Sequence, residues 1–206
     1  PASHTMALLA NKRIKLIAGC DNDATHLEDW HRYCRRVAVY SSYGYLFAAC
    51  KPDIVVVAVN EDAHLETALA AIKSIPRLVI LEKPVALNMK DGLTIADAAQ
   101  KYDVPVLVNH ERRFALDYTA AKEYMSKIGD IQSITAELSS GMRVYSPADE
   151  KTGAYSLLHD GTHLVDIIMY LLEGDISDAS ARRSILYDAK IVDVFYYPSY
   201  NDGAEK

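Results

Sequence analysis

The sequence predicts an α/β fold, with a doubly wound parallel sheet in the first half of the chain and a second, α+β domain after it. Two observations predict the sheet. Apolar runs at 54–59, 78–81 and 104–108 are typical of buried strands, and helical segments separate them. The second domain is predicted because polar and apolar residues alternate over 131–138, as in a strand with one solvated face.

The remaining elements follow from the local pattern. Residues 3–10 are expected to form the end of a helix, 14–20 a short buried strand and 24–36 a helix. Asn60, followed by two acidic residues, is predicted to cap a helix that runs to about Ser74. Asn88 and Asp91 are predicted to open another. Later in the chain we expect helices at 117–126 and 162–172 and strands at 181–187 and 191–197.

These elements divide the chain into an α/β domain, 1–112, and an α+β domain, 113–206; the family resemblance described below implies dinucleotide binding for the first and substrate binding and oligomerisation for the second. None of the nine glycines forms a Gly-x-Gly pair. We therefore expect the first strand and the phosphate-binding glycine turn of such a sheet to be missing from this chain. The second domain, with a mainly antiparallel sheet, is expected to be incomplete.

Composition excludes several classes of protein. A formal charge of −6 and isolated arginine pairs give no basic surface for nucleic acid. The apolar runs are far shorter than the roughly 20 residues of a membrane helix. The three cysteines show no Cys-x-x-Cys spacing, so we expect no disulfide framework and a cytoplasmic protein.

Polar residues follow the predicted strands directly. They are Asp21, Asn60, the Glu82-Lys83 pair and His110. Ligands bind outside the carboxyl ends of parallel strands, which makes this edge the candidate site, although loops are polar in any protein. A carboxylate at Asp21 would bind ribose hydroxyls and repel a 2′-phosphate, which favours NAD over NADP. Asn22 and Asp23 leave a simple turn as the alternative.

Several motifs occur in a specific order. These are Lys-Pro-Asp-Ile-Val-Val-Val-Ala-Val-Asn at 51–60 with His64, then Glu82-Lys83-Pro84, then His110 with Arg112-Arg113-Phe114, and finally the segment 153–166. In this order they closely resemble the Gfo/Idh/MocA oxidoreductases, the glucose-fructose oxidoreductase and inositol dehydrogenase type. The resemblance spans about residues 4–174 and implies a Rossmann-like first domain.

The resemblance implies that Lys83 is the catalytic lysine and His163 the acid/base histidine, which also contacts substrate. Asn60 and Glu82, with Lys83, would line the nicotinamide end of the cofactor. A packing role for His64 and a surface salt bridge from Lys83 to Glu82 are the alternatives. The cofactor contacts expected are Asp21, Asn60, His64, Glu82 and Lys83.

The sequence departs from the family where an aspartate usually stands four residues before the catalytic histidine. His159 occupies that position and Asp160 follows it, so either could supply the substrate contact. His159, His163 and Asp166 share one helix face. We expect no metal there, since the second domain offers no other obvious ligand. The substrate contacts expected are His110, Arg112, His159, Asp160 and His163.

We therefore expect an oxidoreductase that transfers a hydride between a nicotinamide cofactor and a hydroxyl or carbonyl carbon of a sugar, polyol or related small molecule. The expected cofactor is NAD, with NADP the less favoured alternative. The alternatives are a non-catalytic protein that senses a dinucleotide or sugar, and an inactive fragment. We also expect self-association into a dimer or tetramer through the second domain's sheet.

Overall fold

The computed structural model describes residues 3–129, 131, 133–138 and 157–172. The chain divides into two compact units, Pro1–Asn109 and His110–Lys206. The division falls close to the predicted boundary after residue 112. The assignment of the second unit to substrate binding and self-association stays a prediction.

The first unit begins with two capped helices. The Ser3 hydroxyl accepts a hydrogen bond from Met6 N at the start of α1, and the Asp23 carboxylate accepts from two backbone amides at the start of α2. Those two bonds lower the pKa of Asp23. The predicted strand at 14–20 shortens to three residues, and a strand and a helix that the sequence analysis did not identify follow α2. The elements are α1 His4–Ala10, β1 Ala18–Cys20, α2 Ala24–Tyr33, β2 Ala38–Tyr40 and α3 Tyr43–Ala49.

β1 and β2 form a two-stranded parallel ladder of their own. A glycine in β1 allows a tryptophan of α2 to pack directly on the strand, because a Cβ atom at Gly19 would lie 2.5 Å from two ring carbons of Trp30. The indole N–H of Trp30 donates to the Thr5 hydroxyl at 2.8 Å. Trp30 therefore joins β1 to α1.

A three-stranded parallel sheet follows, in the order β3-β4-β5. Its register pairs Val57 with Leu81 and Leu81 with Val108. As predicted, Asn88 caps α5, since its side-chain oxygen accepts from Asp91 N at 2.9 Å. The elements are β3 Ile54–Val57, α4 His64–Lys73, β4 Leu78–Glu82, α5 Met89–Tyr102 and β5 Val106–Asn109, with a 3-10 turn Glu61–Ala63 before α4.

The core of the first unit lies between this sheet and its two helices. Small residues of α4 are fully buried, which lets the helix approach α5 and the strands closely. Large aliphatic side chains of the strands fill the space opposite. The buried residues are Val57, Ala68, Ala71, Ile72, Val79, Leu81, Ile95 and Val104.

The parallel strands and helices confirm the predicted doubly wound α/β class, with one correction. The strand predicted at 14–20 does not join the sheet of β3-β4-β5 and pairs with β2 instead. A strand joins a sheet only through a hydrogen-bonded neighbour. The described part of this unit thus has two separate parallel ladders, β1-β2 and β3-β4-β5, and the expected loss of the first strand of the sheet stays a prediction.

The second unit contains short helical elements in its described part. The helix predicted at 162–172 is confirmed. No strand forms within 133–138, where one was expected; a strand needs a ladder partner, and no described residue provides one. The strands expected at 181–187 and 191–197 lie outside the described residues. The elements are the 3-10 turn Glu111–Phe114, α6 Leu116–Met125, a π-helical turn Leu157–Gly161 and α7 Thr162–Leu172.

In the described ranges, every helix is too short or too polar to cross a membrane.

Candidate functional site

The first part of the candidate site lies at the carboxyl ends of β4 and β5. Glu82 and Asn109 are register partners in the last row of the sheet. Lys83 follows Glu82 immediately, and the Lys83–Pro84 peptide bond is cis. Parallel strands expose their carboxyl ends at one edge, so the sheet brings these chain-distant residues together.

Glu82 is the centre of a hydrogen-bonded cluster. Its Oε1 atom accepts from Asn109 Nδ2 at 2.6 Å and lies 2.6 Å from Nε2 of His4 on α1. Burial raises the pKa of Glu82, but the hydrogen bonds from Asn109 and His4 outweigh it, and the pKa lies below its ordinary value. The cluster therefore holds a carboxylate that stays ionised at neutral pH.

Two further residues selected from the sequence are Lys83, which follows β4, and Asn60, which lies in the loop after β3. The Lys83 side chain is half-buried, and its backbone N–H donates to Glu82 Oε2 at 3.3 Å. Asn60 is exposed and, contrary to the prediction, its side chain makes no capping hydrogen bond; the 3-10 turn at 61–63 places the start of α4 at His64 instead. The Asn60 amide is thus not committed to the helix end.

His64 lies at the start of α4 with its side chain inside the protein. It is the first residue of α4, is 1% exposed, and places both ring nitrogens near backbone carbonyls. Nδ1 lies 2.7 Å from the Pro84 oxygen and Nε2 lies 3.1 Å from the Val59 oxygen. This arrangement corresponds to the packing alternative; the expected contact with a cofactor stays a prediction.

Asp21 directly follows β1, as expected of a ribose-binding carboxylate. Its backbone N–H donates to the Tyr40 oxygen at 3.2 Å, which extends the ladder by one bond. One carboxylate oxygen accepts from Asp23 N at 2.9 Å, which gives the turn that was the alternative interpretation. Burial, and then the Asp21 charge, raise the pKa of the neighbouring Cys20 thiol.

In the second unit, an ion pair joins the 3-10 turn Glu111–Phe114 to α7. Arg113 donates to both oxygens of Asp166 at distances of 2.7–2.9 Å. Asp166 is 8% exposed. The guanidinium also lies 5.5 Å from the centre of the Tyr170 ring. A buried carboxylate needs such a partner, and the two-pronged geometry fixes the rotation of α7 relative to the turn.

His163 lies one helical turn before Asp166 on α7 and is 6% exposed. Its Nε2 atom lies 3.9 Å from Oε1 of Glu111, which is itself mostly exposed. The rings of His163 and His110 meet edge to face, with centroids 6.2 Å apart. Nδ1 of His110 lies 3.8 Å from Asp166. Two imidazoles and two carboxylates thus form one cluster, which can exchange a proton with a bound molecule.

Sequence reasoning anticipated part of this cluster. It selected His110 and His163, and it placed Asp166 on the same helix face. It chose Arg112 as a ligand, whereas the neighbouring Arg113 makes the ion pair to Asp166. Arg112 is half-buried, and Asp160 is half-buried on the π-helical turn; their substrate contacts stay predictions, as does that of His159, whose side chain lies outside the described residues.

Four residues with contacts in these clusters were not selected from the sequence. Asn109 could have been found, since it ends a predicted strand next to His110. His4, Glu111 and Arg113 carry no comparable signal, because their roles depend on contacts with residues far along the chain. In the described part of the chain, no group of three His, Cys, Asp or Glu side chains is arranged to hold a metal ion.

Comparison with known proteins identifies relatives. D-glucoside 3-dehydrogenase of Escherichia coli is 26% identical over 176 residues, which cover 82% of this chain and 50% of the relative. The NADP(+)-linked scyllo-inositol 2-dehydrogenase of Bacillus subtilis is 29% identical over 154 residues, 70% of this chain and 41% of the relative. The chain thus spans half or less of the length of these curated relatives.

A solved structure shows the same fold. The structure is that of an oxidoreductase from Desulfitobacterium hafniense, described as a putative NADPH-dependent enzyme. The match covers 82% of this chain and 50% of the Desulfitobacterium chain, with a TM-score of 0.70 and 22% sequence identity. The sequence model of the Gfo/Idh/MocA oxidoreductase family, described as an NAD-binding Rossmann fold, matches residues 2–110. This match covers more than half of the chain, and the chain therefore belongs to the Gfo/Idh/MocA oxidoreductase family.

Proposed function

We propose that the whole protein is an NAD(P)-dependent dehydrogenase that transfers a hydride between the nicotinamide ring and a carbon bearing a hydroxyl group in a sugar or polyol. The observation that carries the proposal is the row formed by Glu82, Lys83 and Asn109 at the carboxyl ends of β4 and β5. This is the edge at which open parallel sheets bind their ligands, and it lies within the region matched by an NAD-binding family.

The residues of the first unit fit a dinucleotide. Asp21 offers a half-buried carboxylate at the end of β1, and Asn60 offers an amide that caps no helix. The Asp21 charge opposes a 2′-phosphate, which favours NAD over NADP. His64 and Glu82 would support this surface from the protein side, because their polar atoms already contact other groups of the protein.

Nicotinamide, when bound, supplies the acceptor for the hydride. Lys83 then acts on the oxygen of the reacting hydroxyl group, where its ammonium stabilises the negative charge that develops. Lys83 therefore orients and stabilises the alkoxide without holding the cofactor.

His163 accepts the hydroxyl proton in this scheme, a task suited to an imidazole that titrates near neutral pH. Glu111, 3.9 Å from Nε2, favours the imidazolium that results. We propose that Glu111 supplies here the negative charge that the family usually takes from the aspartate replaced by His159. His110, Arg112, Asp160 and His159 would bind the other substrate hydroxyl groups.

The substrate class rests on the relatives, which are named as dehydrogenases of a glucoside and an inositol. Both substrates carry several neighbouring hydroxyl groups, which suits a cluster of imidazoles and carboxylates able to donate and accept hydrogen bonds. We further propose that the protein is cytoplasmic and self-associates through its second domain.

The test measures NADH and NADPH binding by fluorescence, and then NADH formation from NAD with a panel of inositols, glucose and glucosides. We expect tighter binding of NADH than of NADPH, and turnover with at least one polyol. Asp21→Asn should narrow the difference between the two cofactors. Binding without turnover for any polyol would instead support a sensing protein, and no binding at all would support the inactive fragment.

A further inference from the structure

His64 is an unusual residue for a protein core. It is fully buried at the start of α4, yet it has two polar ring atoms. Nδ1 lies 2.7 Å from the Pro84 carbonyl oxygen and Nε2 lies 3.1 Å from the Val59 carbonyl oxygen, and a hydrogen bond forms at the nitrogen that carries the ring proton. Leucine would fill the same space without this cost, because burying polar atoms costs free energy unless they are hydrogen-bonded.

The two carbonyls belong to different strand ends. Val59 precedes Asn60, in the loop after β3, and Pro84 follows Lys83, in the turn after β4. Neither loop is held there by the ladder, because β3 ends at Val57 and β4 ends at Glu82. The imidazole therefore lies between two segments that have left the sheet and contacts both of them. We call it the strand-end clamp.

The position of the ring proton decides which of the two contacts is a hydrogen bond. A neutral imidazole donates from one nitrogen only, and both acceptors here are carbonyl oxygens. The shorter contact assigns the proton to Nδ1, so that Nδ1–H donates to the Pro84 oxygen. The clamp is thus one hydrogen bond, from His64 to the turn beside Lys83, with Nε2 in contact with the Val59 oxygen but not donating to it.

We infer that His64 is a positioning residue, which fixes the turn carrying Lys83 relative to the loop carrying Asn60. The inference rests on the proposed function, in which Lys83 acts on the substrate oxygen. Displacing a reacting group by about 1 Å can lower a rate by a factor of about 100. Loss of the clamp should therefore appear mainly in turnover.

The experiment uses three variants of the whole protein. His64→Asn keeps a donor near the position of Nδ1, His64→Gln keeps a polar atom near Nε2, and His64→Leu removes both. We expect kcat to fall on the order of 10-fold to 100-fold in the Leu and Gln variants, with NADH affinity within about threefold of wild type. The Asn variant should recover most of the lost turnover.

Ile72→Val is the matched control, since Ile72 is fully buried on the same helix but bonds to neither loop. It should lower thermal stability without changing kcat below the unfolding transition. Normal turnover in His64→Leu, or an Asn variant no more active than the Gln variant, would overturn the clamp.

A second readout does not depend on activity. Nitrogen NMR of the histidine ring should show a slowly exchanging Nδ1–H in wild type, and hydrogen exchange at 83–87 should accelerate in His64→Gln more than in His64→Asn. A wild-type protein that shows this signal but no turnover would overturn the proposed function and leave the clamp standing. A rapidly exchanging Nδ1–H would overturn the clamp alone.

Discussion

The two units hold their central carboxylates in different ways. In the first unit, Glu82 is bound by a neutral amide, Asn109, and by an imidazole, His4, and remains partly open to solvent. In the second unit, Asp166 accepts hydrogen bonds from two guanidinium nitrogens of Arg113 and is almost fully buried. The positive charge of a guanidinium largely cancels the field of the carboxylate that it binds, whereas an amide donor such as Asn109 does not.

This difference separates two tasks. Asp166 is suited to holding a helix that carries a reactive histidine, because its charge is compensated. Glu82 is suited to acting on groups at the strand ends, because it stays partly open to solvent at the residue before Lys83. The comparison predicts that substitutions around Asp166 change stability most, and that substitutions around Glu82 change pH dependence and catalysis.

The largest expected effect tests the chemistry beside each carboxylate. Lys83→Ala and His163→Ala should each lower turnover by a factor of about 10² to 10⁴, the range for removing a group that acts on a proton or a developing charge. NADH affinity should be nearly unchanged in Lys83→Ala. The His163→Ala defect should diminish at high pH, where hydroxide partly replaces the base. Near-normal turnover in either variant would exclude that residue from the reaction.

The next prediction compares two adjacent arginines. Arg113→Ala should lower the free energy of unfolding of the second unit by about 3 kcal/mol, because it leaves the Asp166 charge buried without its partner. The measurement is urea unfolding followed by circular dichroism. Arg112→Ala is the matched control and should cost well under about 1 kcal/mol. Equal losses in the two variants would show that the ion pair does not hold α7.

A smaller effect tests how the first unit supports Glu82. Gly19→Ala would place a methyl group against the Trp30 ring and should destabilise by about 1–3 kcal/mol. Displacing Trp30 also disturbs Thr5 on α1, the helix that carries His4. Gly92→Ala, in α5 with open space around it, is the control and should stabilise by up to about 1 kcal/mol in thermal unfolding. A neutral Gly19→Ala would contradict the packing of Trp30 on β1.

The smallest effect concerns pH. The pKa of Glu82 is lower in the folded state than in the unfolded chain, so its contribution to stability is present above the unfolded pKa and is lost as pH falls through the folded one. Glu82→Gln should therefore remove part of the acid-induced loss of unfolding free energy. Glu28→Gln, an exposed position on α2, should leave the profile unchanged. If both variants follow the wild-type profile, Glu82 is not the held carboxylate described above.

The sequence alone determined the elements whose signals are local. The apolar strands β3 and β4 and the Asn88 cap were predicted because strand burial and helix capping depend on neighbouring residues. Two predictions about strands that needed a particular partner were wrong. The strand predicted at 14–20 shortened and paired with β2, and no strand formed within 133–138, because a ladder requires a partner that local sequence does not specify.

The candidate site divides in the same way. Lys83, His110 and His163 were selected from motifs, since family resemblance and positions after strands are visible in the sequence, and their roles stay predictions. Only the tertiary structure decided that Arg113 and not Arg112 binds Asp166. It also decided that His64 turns both nitrogens to loop carbonyls and that His4 reaches Glu82. Hydrogen bonds have directions and lengths of about 3 Å, and these are set by how distant segments pack, not by the order of residues along the chain.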